Sequence, residues 1–223
     1  MRVLGIETAT TLCGVGLAGD EGFVADYRVL RGYTHAEHLP EAVDQVLKDT
    51  GFLVGDIDGI AVSIGPGSFT GLRIGLGLAK GLAWGWEKPL VAVPTMEGLV
   101  SQVPGMCARA CVMLIARKGE VYQGLYKWEK DSWRLVGDYG IVQEGKIGEG
   151  FPESEILFLG EGTTCYRETI QQRVKGTRFL PPVYSIPSGY GVAERGRERL
   201  QKGEVADIDT LVPLYLKRFK GVA

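Results

Sequence analysis

Only two histidines occur in the 223 residues, and the four cysteines form no C-x-x-C pair. Cys13, Cys107, Cys111 and Cys165 stand in strand-like or helix-like surroundings. That excludes a disulfide framework and a cysteine zinc site, and predicts reduced, buried thiols. No uninterrupted apolar run approaches the ~20 residues that span a bilayer. The opening Met1-Arg2-Val3-Leu4-Gly5-Ile6-Glu7 reaches an acid too early for a signal-peptide core. A cytoplasmic protein without membrane contact is therefore expected. Excess positive charge is also missing: 25 Lys+Arg against 27 Asp+Glu leave a net charge of −2. An autonomous RNA binder needs a basic surplus to neutralise phosphates, so tight tRNA binding by the chain alone is not expected. The single basic cluster, Lys217-Arg218-Phe219-Lys220, reads as a solvated tail.

What is present is ordinary globular material, 45% hydrophobic and 23% charged. Residues 2–7 are apolar and end on Glu7-Thr8, as a buried strand delivering side chains to a site would. Residues 12–19 and 23–30 predict two more strands, with Gly19 and Gly22 marking the turn between them. From His35 the period changes. Leu39, Ala42, Val43, Val46 and Leu47 recur at helical spacing and predict an amphipathic helix ending near Gly51. A strand at 58–64, a helix from about Phe69 to Trp86, a strand at 89–93 and a helix after Thr95 follow.

This β-β-β-α-β-α-β-α order is the ribonuclease-H-like arrangement on which actin-like ATPases and sugar kinases are built. Beyond Pro104-Gly105, strands are predicted at 109–116, 120–128, 133–142 and 156–160, and helices at 162–174 and 190–202. The expected fold is α/β and two-lobed, each lobe a mixed sheet flanked by helices. Residues 1–104 form the N-terminal lobe and 105–204 a smaller C-terminal one, with 205–223 packing back on the first.

The densest motif is Gly65-Pro66-Gly67-Ser68-Phe69-Thr70-Gly71-Leu72-Arg73-Ile74-Gly75. Its glycines permit backbone conformations that a Cβ opposes, and Ser68 or Thr70 can cap the following helix. A glycine-rich turn opening a helix points N–H groups at whatever sits there, often a phosphate. No Lys-Ser or Lys-Thr pair completes a Walker A loop, and a tight strand–helix connection needs no ligand. Both readings stay open. Phosphate contact would fall to Glu7, Thr8, Gly65, Gly67, Ser68 and Arg73.

The helix behind the turn carries Gly77, Gly81 and Gly85 every four residues and is apolar almost all round. Each interior glycine costs roughly 0.5–1 kcal/mol against alanine, and a helix apolar on every side is covered twice. A subunit interface is therefore expected, built from Leu39, Val43 and Val46 of the first helix and Leu72, Leu76, Gly77, Ala79, Lys80, Gly81, Ala83 and Trp84 of the second. Full burial inside a monomer is the competing reading. His35 and His38, with Glu37 between them, stand three apart rather than four as in H-E-x-x-H. Solvent-facing or capping histidines are expected, and no metal.

Taken together, Gly5-Ile6-Glu7-Thr8-Ala9-Thr10, His35, the Gly65–Gly75 string, Ala79-Lys80-Gly81-Leu82-Ala83 and Val93-Pro94-Thr95-Met96-Glu97-Gly98-Leu99 resemble the TsaB (YeaZ) family. So do Ala116-Arg117-Lys118-Gly119-Glu120-Val121-Tyr122 and Pro213-Leu214-Tyr215-Leu216-Lys217. The resemblance implies an actin-like fold and a non-catalytic partner of TsaD, the paralogue that transfers threonylcarbamoyl to N6 of a tRNA adenosine. It further implies pairing with TsaD or with a second copy through the two N-terminal-lobe helices, TsaE as a further bacterial partner, and tRNA contact only through the complex. No cofactor is firmly implied, and ATP or ADP at the complex interface stays open. Ile115 stands where many relatives carry Asp. Two other readings are an autonomous actin-like ATP-binding phosphotransferase using Glu7 and the Gly65–Gly71 turn, and a metallopeptidase using His35, Glu37 and His38.

Overall fold

The computed structural model describes residues 1–30 and 35–216, and the side chains of residues 35–37 fall outside that description. In chain order the strands are β1 (Val3–Glu7), β2 (Leu12–Gly19), β3 (Gly22–Leu30), β4 (Gly59–Ser63), β5 (Leu90–Val93), β6 (Arg109–Arg117), β7 (Glu120–Glu129), β8 (Ser132–Leu135), β9 (Gly140–Gln143), β10 (Ile156–Leu159) and β11 (Thr177–Phe179). The helices are α1 (His35–Thr50), α2 (Phe69–Gly85), α3 (Thr95–Ser101), α4 (Glu161–Cys165), α5 (Arg167–Arg173) and α6 (Gly189–Gln201). The first sheet runs β3-β2-β1-β4-β5, and the second runs β11-β10-β6-β7-β8 with β9 also on β7. Each sheet has three antiparallel strands followed by parallel ones, so the lobes repeat one topology. Among the described residues no helix is long and apolar enough to cross a membrane.

β1 is buried along its whole length because the first sheet is covered on both faces. On one face Leu4, Ile6, Val15 and Leu17 pack against Leu39, Val43 and Val46 of α1 and Leu76, Ala79 and Ala83 of α2. On the other, Val3, Ala61, Val91 and Val93 meet Val192 of α6. The backbone of α6 lies directly on the sheet. A Cβ at Gly16 would stand 2.1 Å from Tyr190 N, and one at Gly5 would stand 2.2 Å from Gly189 O.

This corrects the lobe assignment, since the helix expected at 190–202 in the second lobe is a layer of the first. Helical periodicity reports that a helix has an apolar side, but not which sheet receives it. Residues after α6 stay with the first lobe too. Ala206 N–H donates to Leu90 O (2.8 Å) and Leu214 N–H to Ile64 O (2.7 Å), while Ile208 and Leu211 pack on the first core. The Lys217–Lys220 cluster lies outside the described residues.

Two elements of the second lobe are split relative to expectation. The strand expected at 133–142 is β8 and β9, interrupted where Gly137 takes φ +73°. Both halves pair with β7, one at each end of that ten-residue strand. The helix expected at 162–174 breaks at Tyr166, whose hydroxyl accepts the Gly119 N–H (3.0 Å).

α3 joins the lobes through Glu97. Its carboxylate accepts from Arg195 (3.0 Å) and Arg199 (2.7 Å) of α6, and from the Tyr139 hydroxyl (3.3 Å). Tyr139 in turn meets the hydroxyl of the fully buried Tyr126 on β7 (3.1 Å). Glu97→Ala takes the shared acceptor from two half-buried guanidinium groups, which keep Glu198 and Ala92 O, and is expected to cost about 2 kcal/mol. The check is the urea midpoint at unchanged slope. A loss below about 1 kcal/mol would make this an ordinary surface ion pair.

Candidate functional site

The Gly65–Gly75 segment joins β4 to α2 and presses on the turn after β1. Ser68 caps α2, its Oγ accepting from Gly71 N–H (3.2 Å), while Ser68 N–H donates to Ala9 O (2.6 Å). A Cβ at Gly67 would stand 2.3 Å from Ala9 O, one at Gly71 2.1 Å from Thr8 O, and one at Gly75 2.1 Å from Thr8 Oγ1. These glycines are needed because the helix start lies on the chain's own carbonyl groups. Two of the N–H groups that elsewhere cradle an anion, those of Ser68 and Gly71, are spent here on Ala9 O and Ser68 Oγ.

The six residues expected to contact phosphate are therefore separated. Glu7 and Thr8 are fully buried, and Gly65 is buried beneath Leu214. Arg73 turns outward, where its Nε donates to Tyr215 Oη (3.1 Å) and its guanidinium stacks 3.7 Å over the Phe69 ring. Only Gly67 and Ser68 reach the cleft. A glycine-rich turn looks the same in sequence whether a ligand or a neighbouring turn packs against it.

Glu7 is unusual among these. One carboxyl oxygen accepts from Ala9 N–H (2.6 Å), and the other has no hydrogen-bond partner. Burial pushes its pKa up to about 8, against weaker opposition from the Ala9 N–H, Ser63 and the Thr8 N–H. At neutral pH it is largely a neutral acid, the form that tolerates burial.

Between the lobes lies a cleft of about 460 Å³. Ala9, Thr10, Thr11, Gly67, Ser68 and Phe69 line it from the first lobe, and Ile115, Ala116, Tyr122 and Glu161 from the second. Glu161 is the one charged side chain among the described lining residues. It accepts the Ile115 N–H (3.4 Å), and burial raises its pKa. A carboxylate therefore returns beside Ile115, from a helix 46 positions away. A bare phosphate here would meet an acid and no cation among the described lining residues. Sequence reasoning singled out neither Glu161 nor the lining role of Tyr122, because a lone acid at a short helix start carries no signal.

His38 stands 3.7 Å from Glu41, whereas the side chains of His35 and Glu37 lie outside the described ones. Among the described residues no three His, Cys, Asp or Glu side chains gather as a metal site would require.

The second surface is the outer side of α2. Of the residues expected at a subunit interface, Leu39, Val43, Val46, Leu72, Leu76, Ala79 and Ala83 are instead in the chain's own core, each at most 6% exposed. The reason is geometric: α1 and α2 lie side by side on the sheet, so the inward stripe of each is used at home. Gly77, Gly81 and Trp84 face outward, with Lys80 half-buried. Trp84 is 80% exposed, and a Cβ at Gly77, Gly81 or Gly85 would meet nothing within 4 Å. Ile74, Leu78 and Leu82 are half-buried along the same helix.

A family model described as TsaD, tRNA N6-adenosine threonylcarbamoyltransferase, matches residues 32–220. The tRNA threonylcarbamoyladenosine biosynthesis protein TsaB of Escherichia coli is 37% identical over 97% of this chain and 95% of its own length. Its namesake from Bacillus subtilis is 32% identical over 97% and 94%. YeaZ from Pseudomonas aeruginosa is similar in structure, with a TM-score of 0.83 at 25% identity over 96% of this chain and 99% of its own. An activator of 2-hydroxyisocaproyl-CoA dehydratase from Clostridium difficile, solved with ADPNP, shares the fold alone (TM-score 0.55, 9% identity, 91% and 97% covered). The fold is thus the actin-like one, and the chain belongs to the TsaB family of tRNA threonylcarbamoyladenosine biosynthesis proteins.

Proposed function

We propose that this protein is a non-catalytic subunit required for threonylcarbamoyl transfer to N6 of adenosine in tRNA, and that it dimerises with TsaD and activates it. The observation that carries this reading is the outer side of α2. Three glycines open onto empty space beside an 80% exposed tryptophan on a helix that pays for them in helix propensity. Exposed apolar surface of this kind marks association. A glycine row lets a partner helix approach closely, and Trp84 supplies an anchor of the type that dominates interfaces. TsaD is the partner we assign because this chain matches a TsaD-type model along most of its length, so two related lobes would pack through equivalent helices.

In this reading tRNA is held by the complex, TsaE joins it in bacteria, and the setting is the cytoplasm. ATP or ADP, where used, sits at the complex interface rather than in the filled turn. Gly81→Glu is expected to abolish co-purification with TsaD while the circular dichroism of the isolated chain stays unchanged. Undiminished co-purification sinks the proposal.

The autonomous phosphotransferase is disfavoured by the burial of Glu7, the acid that reading assigned to the site. Calorimetry of the isolated chain is expected to show no tight Mg-ATP binding, and turnover would revive that reading. The metallopeptidase reading predicts stoichiometric zinc in purified protein, and elemental analysis decides it.

A further inference from the structure

In the second sheet β6, β7 and β8 lie side by side, with Arg109 opposite Lys127 and Lys127 opposite Arg134. Directly opposed residues share a face, so three cations stand in one row across adjacent strands. At ~4.8 Å per strand the row is about 10 Å long at the backbone. Like charges set opposite each other destabilise a strand pair, so the fold gains nothing from this arrangement. Lys127 and Arg134 are exposed and Arg109 is half-buried. Their face is the one that carries Cys111 and Leu125, opposite the face that packs on α3.

Little in the chain neutralises the row. Elsewhere guanidinium groups meet acids: Arg28 meets Asp26, Arg178 meets Glu155 and Arg197 meets Glu194. Arg109 instead donates to the neutral Ser154 hydroxyl (2.8 Å). Among the described residues neither Arg109 nor Arg134 makes an ion pair, and Arg134 has no hydrogen-bond partner. Glu129 is the one acid whose described contacts reach the row, 2.6 Å from Lys127. Lys127 above all, then Lys130 and Arg134, hold its carboxyl below the usual range. Lys130 is a fourth cation, at the tip of the β7–β8 hairpin. It and Asp131 form a two-residue turn with φ of +49° and +57°, where asparagine and glycine are the favoured residues. Asp131 lines a pocket with Trp128 and Trp133, which belong to the other face. This local excess stands on a chain whose net charge is −2.

We infer that Arg109, Lys127, Lys130 and Arg134 hold the phosphate backbone of the tRNA. A nucleic-acid backbone presents closely spaced negative charges, and a row of cations with unspent N–H donors answers it without reading sequence. An acidic protein segment carries similar charge, but the substrate of this family is an RNA. The inference rests on the reading of this chain as a subunit of the tRNA-modifying complex. The row lies in the second lobe, whereas the outer side of α2 belongs to the first, so one contact does not use the other's residues.

The test is binding of labelled tRNA, over a range of salt concentrations, to the TsaD complex and to the isolated chain at low ionic strength. Lys127→Gln with Arg134→Gln changes two exposed side chains and removes a like-charge pair. It is expected to weaken tRNA binding at least about tenfold and to flatten the salt dependence by roughly 1.5 in slope. Lys146→Gln with Lys202→Gln, at exposed positions elsewhere, changes net charge equally and is expected to bind like the unmodified protein. Unchanged binding by the first variant overturns the inference, as does an equal loss in the second or no binding by complex and isolated chain alike. Unchanged tRNA binding with lost co-purification of TsaD or TsaE assigns the row to a protein and overturns it too. A chain that never pairs with TsaD defeats the complex reading alone, because binding by the isolated chain still decides the row.

Discussion

Replacing Glu7 by glutamine is expected to remove a steep fall in stability between about pH 4.5 and pH 8. The folded-state pKa stands near 8 against an ordinary 4.5, and burial is the main cause. The folded protein thus holds a proton that the unfolded chain releases across this window. Stability from this group is full below pH 4.5 and is lost as pH rises through 8, at roughly 1 kcal/mol per pH unit. Across the window the loss amounts to several kcal/mol, large beside the ~5–15 kcal/mol of a typical domain. Glutamine keeps an acceptor for the Ala9 N–H and never ionises. Denaturant unfolding of both proteins at several pH values isolates the effect as their difference. Parallel pH profiles would show that Glu7 reaches solvent, contradicting its complete burial.

Gly16→Ala is the second large effect, and it is expected to dislodge α6 from the first sheet. The new Cβ would lie 2.1 Å from Tyr190 N and 2.4 Å from Gly189 C, both backbone atoms that cannot rotate away. Overpacking against flexible side chains costs about 1–3 kcal/mol, and a rigid helix backbone puts this site at or above that limit. Gly77→Ala makes the contrast. There the Cβ enters open space, so the gain in helix propensity should raise the stability of the isolated chain by about 0.5–1 kcal/mol. Thermal unfolding followed by near-ultraviolet circular dichroism reads both. A Gly16→Ala protein that melts with the original would show that α6 can ride further from the sheet without loss.

The contrast between these glycines marks the limit of sequence reading for the site. Gly71 and Gly75 share the four-residue spacing of Gly77, Gly81 and Gly85, and spacing alone does not tell the two sets apart. The first two press on Thr8, and the last three face outward. Glu161 and the pairing of Glu97 with Arg195 and Arg199 were not legible at all. Their partners lie between 46 and 102 positions apart, and no local pattern carries a contact across such a distance.

The Gly65–Gly75 string, the β-β-β-α-β-α-β order and the helical repeat of α1 and α2 follow from local chemistry, and they suffice for the fold and the family. Turn residues, side-chain period and helix caps act over a few positions, so a single chain displays them. Which lobe receives α6, which glycines face a neighbour, and that the α2 turn packs on the carbonyl of Ala9 were decided only in the tertiary structure. Each depends on what the rest of the chain brings within a few ångströms, and distance through space is not written in any one segment.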